Sequence, residues 1–306
     1  MKKIITLTVL LLVAGNLLAC DICGCGVGSY YLGILPDFKK RFIGLRYQHK
    51  GLTTHISADG SVSYLTSQEI YQTAEVWGAF NIGKRFRIMG FVPVNFNERL
   101  NQGKTTSKSG MGDIAVLGYF KLLDRQKTIG DKRFAQSLWV GGGIKLPVGT
   151  YDPTDANIAQ NTQNTFQLGT GSVDFTVNAM YDVRLQDAGI NTNVSYKINT
   201  ANKYDYRYGN KLTGNVLAYY KFNIKNKLTI APNAGIMYET AQKDLNARKH
   251  FVDESGGYSM MGILGVECNI KNIAFGGNYQ SPLAQTLAGN RVKAKDRFMV
   301  HVSFSF

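Results

Sequence analysis

The chain has 306 residues, with 35 Lys and Arg against 21 Asp and Glu, a formal charge of +14. A surplus of that size suits nucleic acid, anionic lipid or an anionic solute, and the exported character of the N-terminus excludes the first. The 33 Gly, 17 Tyr and 16 Phe, with only 6 Pro, suit a β-rich chain.

The leader "MKKIITLTVLLLVAGNLLAC" has two lysines, an apolar run from Ile4 to Ala14 and small residues before Cys20. That is the layout of a secretory signal peptide, and it falls short of the roughly 20 apolar residues of a membrane-spanning helix. Leu17-Leu18-Ala19-Cys20 is similar to the lipobox of bacterial lipoproteins, where cutting exposes a cysteine that carries lipid. Leu17 is bulky for an ordinary cut site, which favours lipidation of Cys20. The expected plan is a signal peptide over 1–19, a Cys-rich periplasmic segment over 20–40 and a β-barrel over 41–306.

In "ACDICGCGVG" the three cysteines form C-x-x-C-x-C. Thiolates so spaced can chelate copper(I) or zinc, or pair as a disulfide in an oxidising compartment. With Cys20 lipidated, only Cys23 and Cys25 keep thiols. Soft-metal binding by these two stands beside a plain lipidated or structural tail.

From there the chain alternates. Phe86, Ile88, Val92, Val94 and Phe96 fall on one face of "FRIMGFVPVNF", and the pattern returns in "GDIAVLGYFKLL" and "SVDFTVNAMYDV". This period of two is the strand signature. Twelve candidate strands start near Phe42, Gln68, Phe86, Gly112, Ala135, Phe166, Ile190, Lys211, Leu228, Gly257, Ile273 and Arg297. Connections after odd strands are long and polar, such as "NERLNQGKTTSKSGM" and "TYDPTDANIAQNTQN"; those after even strands are short, such as "GKR" and "QDAG". "DRQKTIGDKR" is long for its class.

An even strand count, an apolar outer face, a polar inner face and unequal ends predict an all-β, antiparallel, up-and-down transmembrane barrel of about twelve strands. In lipid a sheet satisfies its backbone only by closing. A secreted sandwich alternates too, but seldom keeps such strands and loop asymmetry throughout. The last strand, "RFMVHVSFSF", points Phe298, Val300, Val302, Phe304 and Phe306 outward. Its end at Phe304 and Phe306 is similar to the signal that outer-membrane barrels present to their assembly machinery. On this reading both termini and the short turns face the periplasm.

"SGMGDIAVLGYFKLL", Ser109 to Leu123, with its Gly-x-Gly-Asp entry into a strand, resembles transporter-like outer-membrane barrels of the phenol meta-degradation pathway type. The Cys-rich opening from Cys20 is similar to that of Bacteroidetes barrels of the same sort. The resemblance implies passage of a small solute and supplies no catalytic residues.

The inward parity gives a candidate lumen of Glu75, Arg87, Asp113, Lys121, Lys145, Asp174, Asp182, Lys197, Lys211, Lys221, Glu239 and Glu267. Such charges either select a solute or pair off and fill a narrow barrel. Met89, Phe91, Leu117, Met180, Met237 and Met261 share that face. Cys268 falls outward as a small apolar residue. His301 and Ser303, about 7 Å apart by strand rise, raise the thought of a lipid hydrolase, but a nucleophile needs a base and an orienting group, no third partner is marked, and polar lining explains them. His49, His55 and His250 are scattered and make no metal site. Rim bases including Lys104, Lys108, Lys243, Arg291, Lys293, Lys295 and Arg297 would meet outer-leaflet lipopolysaccharide phosphates. The first expectation is therefore a passive outer-membrane channel; the second is a closed barrel that carries the cysteine-rich tail for copper handling or partner docking.

Overall fold

Alternation of apolar and polar residues builds one antiparallel sheet closed on itself. The computed structural model describes residues 41–57, 59–155, 164–225, 227–247 and 249–306. Its strands are β1 (Phe42–Thr54), β2 (Ser67–Ile82), β3 (Phe86–Asn101), β4 (Lys104–Met111), β5 (Ile114–Ile129), β6 (Lys132–Leu146) and β7 (Asp174–Leu185). There follow β8 (Ala188–Ile198), β9 (Lys211–Tyr220), β10 (Phe222–Ile224), β11 (Leu228–Ala241), β12 (Gly257–Ile270), β13 (Ile273–Leu287) and β14 (Lys293–Ser305). Each hairpin neighbour pairs in sequence, and β14 returns to β1 with Phe42 opposite Ser305.

Two pairs of strands lie end to end. The lower part of β3, Phe86 to Phe91, pairs with β5, and its upper part, Val94 to Asn101, pairs with β4. Likewise β9 and β10 share β11. The barrel therefore has 12 strand positions, the number expected.

The break between β4 and β5 falls at Gly112-Asp113, opposite Pro93. Proline has no N–H to offer a ladder, and its carbonyl instead accepts the Gly112 N–H at 2.9 Å. A Cβ at Gly112 would lie 2.6 Å from the Asn95 amide nitrogen, which donates to the Leu168 carbonyl, so a larger residue there would push on that bond. The Gly-x-Gly-Asp stretch thus ends one strand segment and aims Asp113 inward.

Three expectations are corrected. "NERLNQGKTTSKSGM" is mostly the β3–β4 hairpin, turned at Gln102 (φ 48°) and Gly103 (φ 75°), the left-handed pair of a type I′ turn. "DRQKTIGDKR" is the tip of the β5–β6 hairpin around Gly130-Asp131, so its turn is short like others of its class. Both stretches are polar on both faces because, beyond the apolar belt, each face meets water and the period of two disappears. The sixth strand begins at Asp174; Phe166 lies in a segment folded into the barrel.

The outer face carries Leu45, Val177, Leu264 and Val300, all at least half exposed. Aromatic pairs lie toward both ends, Phe86–Phe120 and Tyr220–Phe222 at one and Tyr238–Tyr258 at the other. An apolar belt between aromatic girdles is the surface that a bilayer requires. Cys268 shares the outward parity of Leu264 and Val266 and is a free thiol.

Candidate functional site

The interior is the site, and its upper half is organised by charge. Almost every strand position contributes an ionisable side chain at one level. Asp113 accepts from Lys145 Nζ at 2.6 Å; Lys145 also reaches Asp174 at 2.8 Å, and Asp174 faces Lys197 at 3.4 Å. Farther round the wall, Glu239 lies between Lys211 at 3.1 Å and Arg297 at 2.8 Å. Glu69 takes Arg99 at 2.8 Å. These carboxylates are fully buried. Burial of a charge is costly unless it is paired, which explains why each of these carboxylates has a cation beside it.

Some of these charges, with inward polar side chains, anchor a segment of backbone. Residues 164–172, just before β7, run inward and are almost wholly buried. The carbonyls of Asn164, Thr165, Gln167 and Leu168 accept from Tyr208, Tyr71, Asn97 and Asn95 at 3.0, 3.3, 2.9 and 2.9 Å. Asp113 accepts from the N–H groups of Gly149 and Thr170 at 3.0 and 2.9 Å, and Lys145 donates to the Ser172 carbonyl at 2.9 Å. Inward strand side chains thus satisfy a buried loop backbone that has no ladder of its own. Phe166 packs with Leu52, Tyr71 and Leu287, and Arg99 stacks over its ring at 4.3 Å. At the exposed edge of this segment, Asp152 takes the Thr154 hydroxyl and N–H at 2.6 and 2.9 Å. Those bonds hold its carboxyl below the usual carboxylate range.

The lower half is more apolar. Phe42, Trp77, Met89, Phe91, Leu117, Trp139 and Met180 form one cluster, and Leu217, Met237, Met261 and Met299 another. A row of inward positions crosses five strands in register, Glu267, Gly276, His301, Arg46 and Glu75, with four polar side chains and a glycine gap. Arg46 pairs with Glu75, and His301 Nε2 is 3.1 Å from Glu267. Gly276 leaves room for that pair, since a Cβ there would collide with both partners. Arg87 donates to Asn81 at 3.3 Å, and its cation faces the Phe42 ring. Nearer the short turns, Asp182 takes the Tyr219 hydroxyl at 3.1 Å, Lys121 meets Asp124 at 2.8 Å, and Lys221 lies over the Tyr219 ring at 5.5 Å.

Nine of the charged residues predicted for the lumen are buried, and Lys121, Asp182 and Lys221 are half-buried near the short turns. Six of them, Asp113, Lys145, Asp174, Lys197, Lys211 and Glu239, pair among themselves; Arg46, Glu69 and Arg99, not foreseen inside, and His301, expected as polar lining, join them, and Arg297, expected at the rim, is 5% exposed inside the barrel. The signal for Arg297 was present, because Phe298 and Val300 point outward and parity turns Arg297 inward; the basic run from Lys293 masked it. His301 has an acidic partner that the sequence did not mark, but among the described residues no hydrogen bond joins it to Ser303. Residues 1–40, and with them Cys20, Cys23 and Cys25, lie outside the described residues.

Residues 46–266 match the family model described as the putative MetA-pathway of phenol degradation. The chain belongs to that family. Its barrel is similar to that of an outer-membrane channel from Pseudomonas putida F1, at 12% identity and a TM-score of 0.60, over 92% of this chain and 100% of that one. The β-domain of the Bordetella autotransporter BrkA follows at 10% identity and a TM-score of 0.46, over 88% and 100%. No curated protein matches the sequence. The MetA-pathway family chain thus has the fold of an outer-membrane barrel, with an apolar belt outside and paired charges above apolar clusters inside.

Proposed function

We propose that the protein is a narrow outer-membrane channel that passes a small solute down its own gradient. The observation that carries this is the closed antiparallel barrel with an apolar belt outside and a charge-lined interior. The membership of the MetA-pathway family and the likeness to a channel fold support it. A barrel of this strand number is too narrow for bulky cargo, and the buried Met and aromatic side chains at mid-height restrict it further. In this reading the termini and short turns face the periplasm, the long connections face outward, and rim bases such as Lys104 and Lys295 meet lipopolysaccharide phosphates. Cys20 is the lipid-bearing residue, and Phe304 and Phe306 are presented to the assembly machinery.

The test is conductance of the purified, folded full chain in a planar bilayer. Discrete steps that vanish after heat unfolding support a channel. Their absence from protein shown to be folded by its heat-modifiable gel mobility would overturn it. The filled middle of the barrel favours one second reading, a closed barrel that anchors the Cys-rich tail. That reading requires silent bilayers together with copper(I) binding that is lost in a Cys23→Ser, Cys25→Ser variant.

A further inference from the structure

We propose that the short-turn mouth of the barrel is a binding vestibule for small carboxylates. A cavity of about 490 Å³ opens at that end, within the range of roughly 300–1,000 Å³ in which proteins hold small molecules. It is lined by Arg133, Arg184, Lys221 and Lys271 against a single acid, Asp187.

The fold brings these bases together from separate elements. Arg133 opens β6 and Arg184 nears the end of β7, stitched by the Gln186 N–H donating to the Arg133 carbonyl at 2.7 Å. Lys221 sits in the break between β9 and β10, its N–H donating to the Asp187 carbonyl at 2.9 Å. Lys271 occupies the β12–β13 turn with φ 53°, a left-handed residue that brings the chain round. Asp187, the one acid, accepts the Asn223 amide at 3.3 Å.

The acids just inside the mouth already have partners. Asp182 takes Tyr219 and Asn191, and Asp124 takes Lys121. At the vestibule four bases therefore face one acid, and low-dielectric walls focus that field. Two guanidinium groups favour a carboxylate, whose paired oxygens match the planar fork, and Asn223 and Asn269 supply neutral partners for the rest of a small solute. Lipid headgroups are a poor match, because the cavity lies inside the strand wall and not on the outer belt.

As a statement about the transported solute this rests on the channel reading above; as a statement about binding it does not. The experiment separates them. Succinate is titrated calorimetrically into the folded full chain in neutral detergent at low salt, beside its uncharged diol analogue. The wild type should bind succinate and not the diol, with affinity that falls as salt rises. An Arg184→Gln, Lys221→Gln, Lys271→Gln variant should bind at least tenfold more weakly, while a Lys127→Gln, Lys132→Gln control, changed at the same end on the β5–β6 hairpin, should match the wild type. Equal binding by the triple variant, equal loss in the control, or binding of an oligoglutamate peptide without binding of succinate would each overturn the proposal. In bilayers under a salt gradient, an anion-shifted reversal potential that the triple variant moves toward zero supports it in transport. Conductance with no anion preference, together with no succinate binding, overturns it. Silent bilayers with intact succinate binding overturn the channel and leave the vestibule.

Discussion

Glu239 has no exposed surface and two cations within hydrogen-bond reach, Lys211 and Arg297. Removing its charge by Glu239→Gln leaves both cations buried and uncompensated, which costs about 3–5 kcal/mol. A markedly lower midpoint for thermal unfolding in detergent is the expected result. The pair Lys243–Asp253, at 3.3 Å on an outer connection, is a useful contrast, because exposed ion pairs contribute less than about 1 kcal/mol; Asp253→Asn should leave the midpoint where it was. At this scale the sequence was legible wherever alternation was clean. Asp174 and Lys197 follow from the outward phase of Val177 and Val194. In β1 the run Tyr47-Gln48-His49-Lys50 is polar on both parities, so the phase that turns Arg46 inward was hidden. Which charge meets which was never legible, since partners such as Glu239 and Arg297 lie on strands that are not neighbours in the sheet.

Elements add a constraint that single residues do not show. The segment 164–172 is held by inward side chains whose polar atoms would otherwise face the lumen, and Asp113 ties its Thr170 N–H to the Gly149 N–H of the preceding connection. Asp113→Ala removes the acceptor for two backbone N–H groups while Lys145 keeps Asp174 at 2.8 Å. If the barrel conducts, the variant should show severalfold larger single-channel steps with unchanged heat-modifiable mobility; equal steps would mean that the segment does not restrict the passage. The sequence pointed to strand where Phe166 lies because an apolar residue among polar ones reads the same whether it faces a core or a lumen. The β3–β4 and β5–β6 extensions were missed for the opposite reason, since strands that leave the bilayer have no dry face to reveal.

For the whole molecule the governing fact is two solvents on two sides of one sheet. Leu264 lies midway along β12, 66% exposed on the outer face. Leu264→Arg should cost about 2–4 kcal/mol in a bilayer, the penalty for a cation on the lipid side near mid-depth, and should appear as reduced insertion into lipid vesicles. The same substitution beyond the belt, at Thr105 on β4, should be close to neutral. The strand number and the asymmetry of the ends could be read from the order of turns alone, because both follow from chain connectivity and not from packing.

The seam between β1 and β14 sets a timetable. Phe42 faces Ser305 and Arg46 faces His301, so the first strand has one of its two neighbours only after almost the whole chain has been made. Until then both outer strands expose unpaired backbone, which lipid does not tolerate. The barrel is therefore complete in lipid only when β14 reaches β1. A change in β14 would then be felt first in the yield of assembled protein and only afterwards in what that protein does.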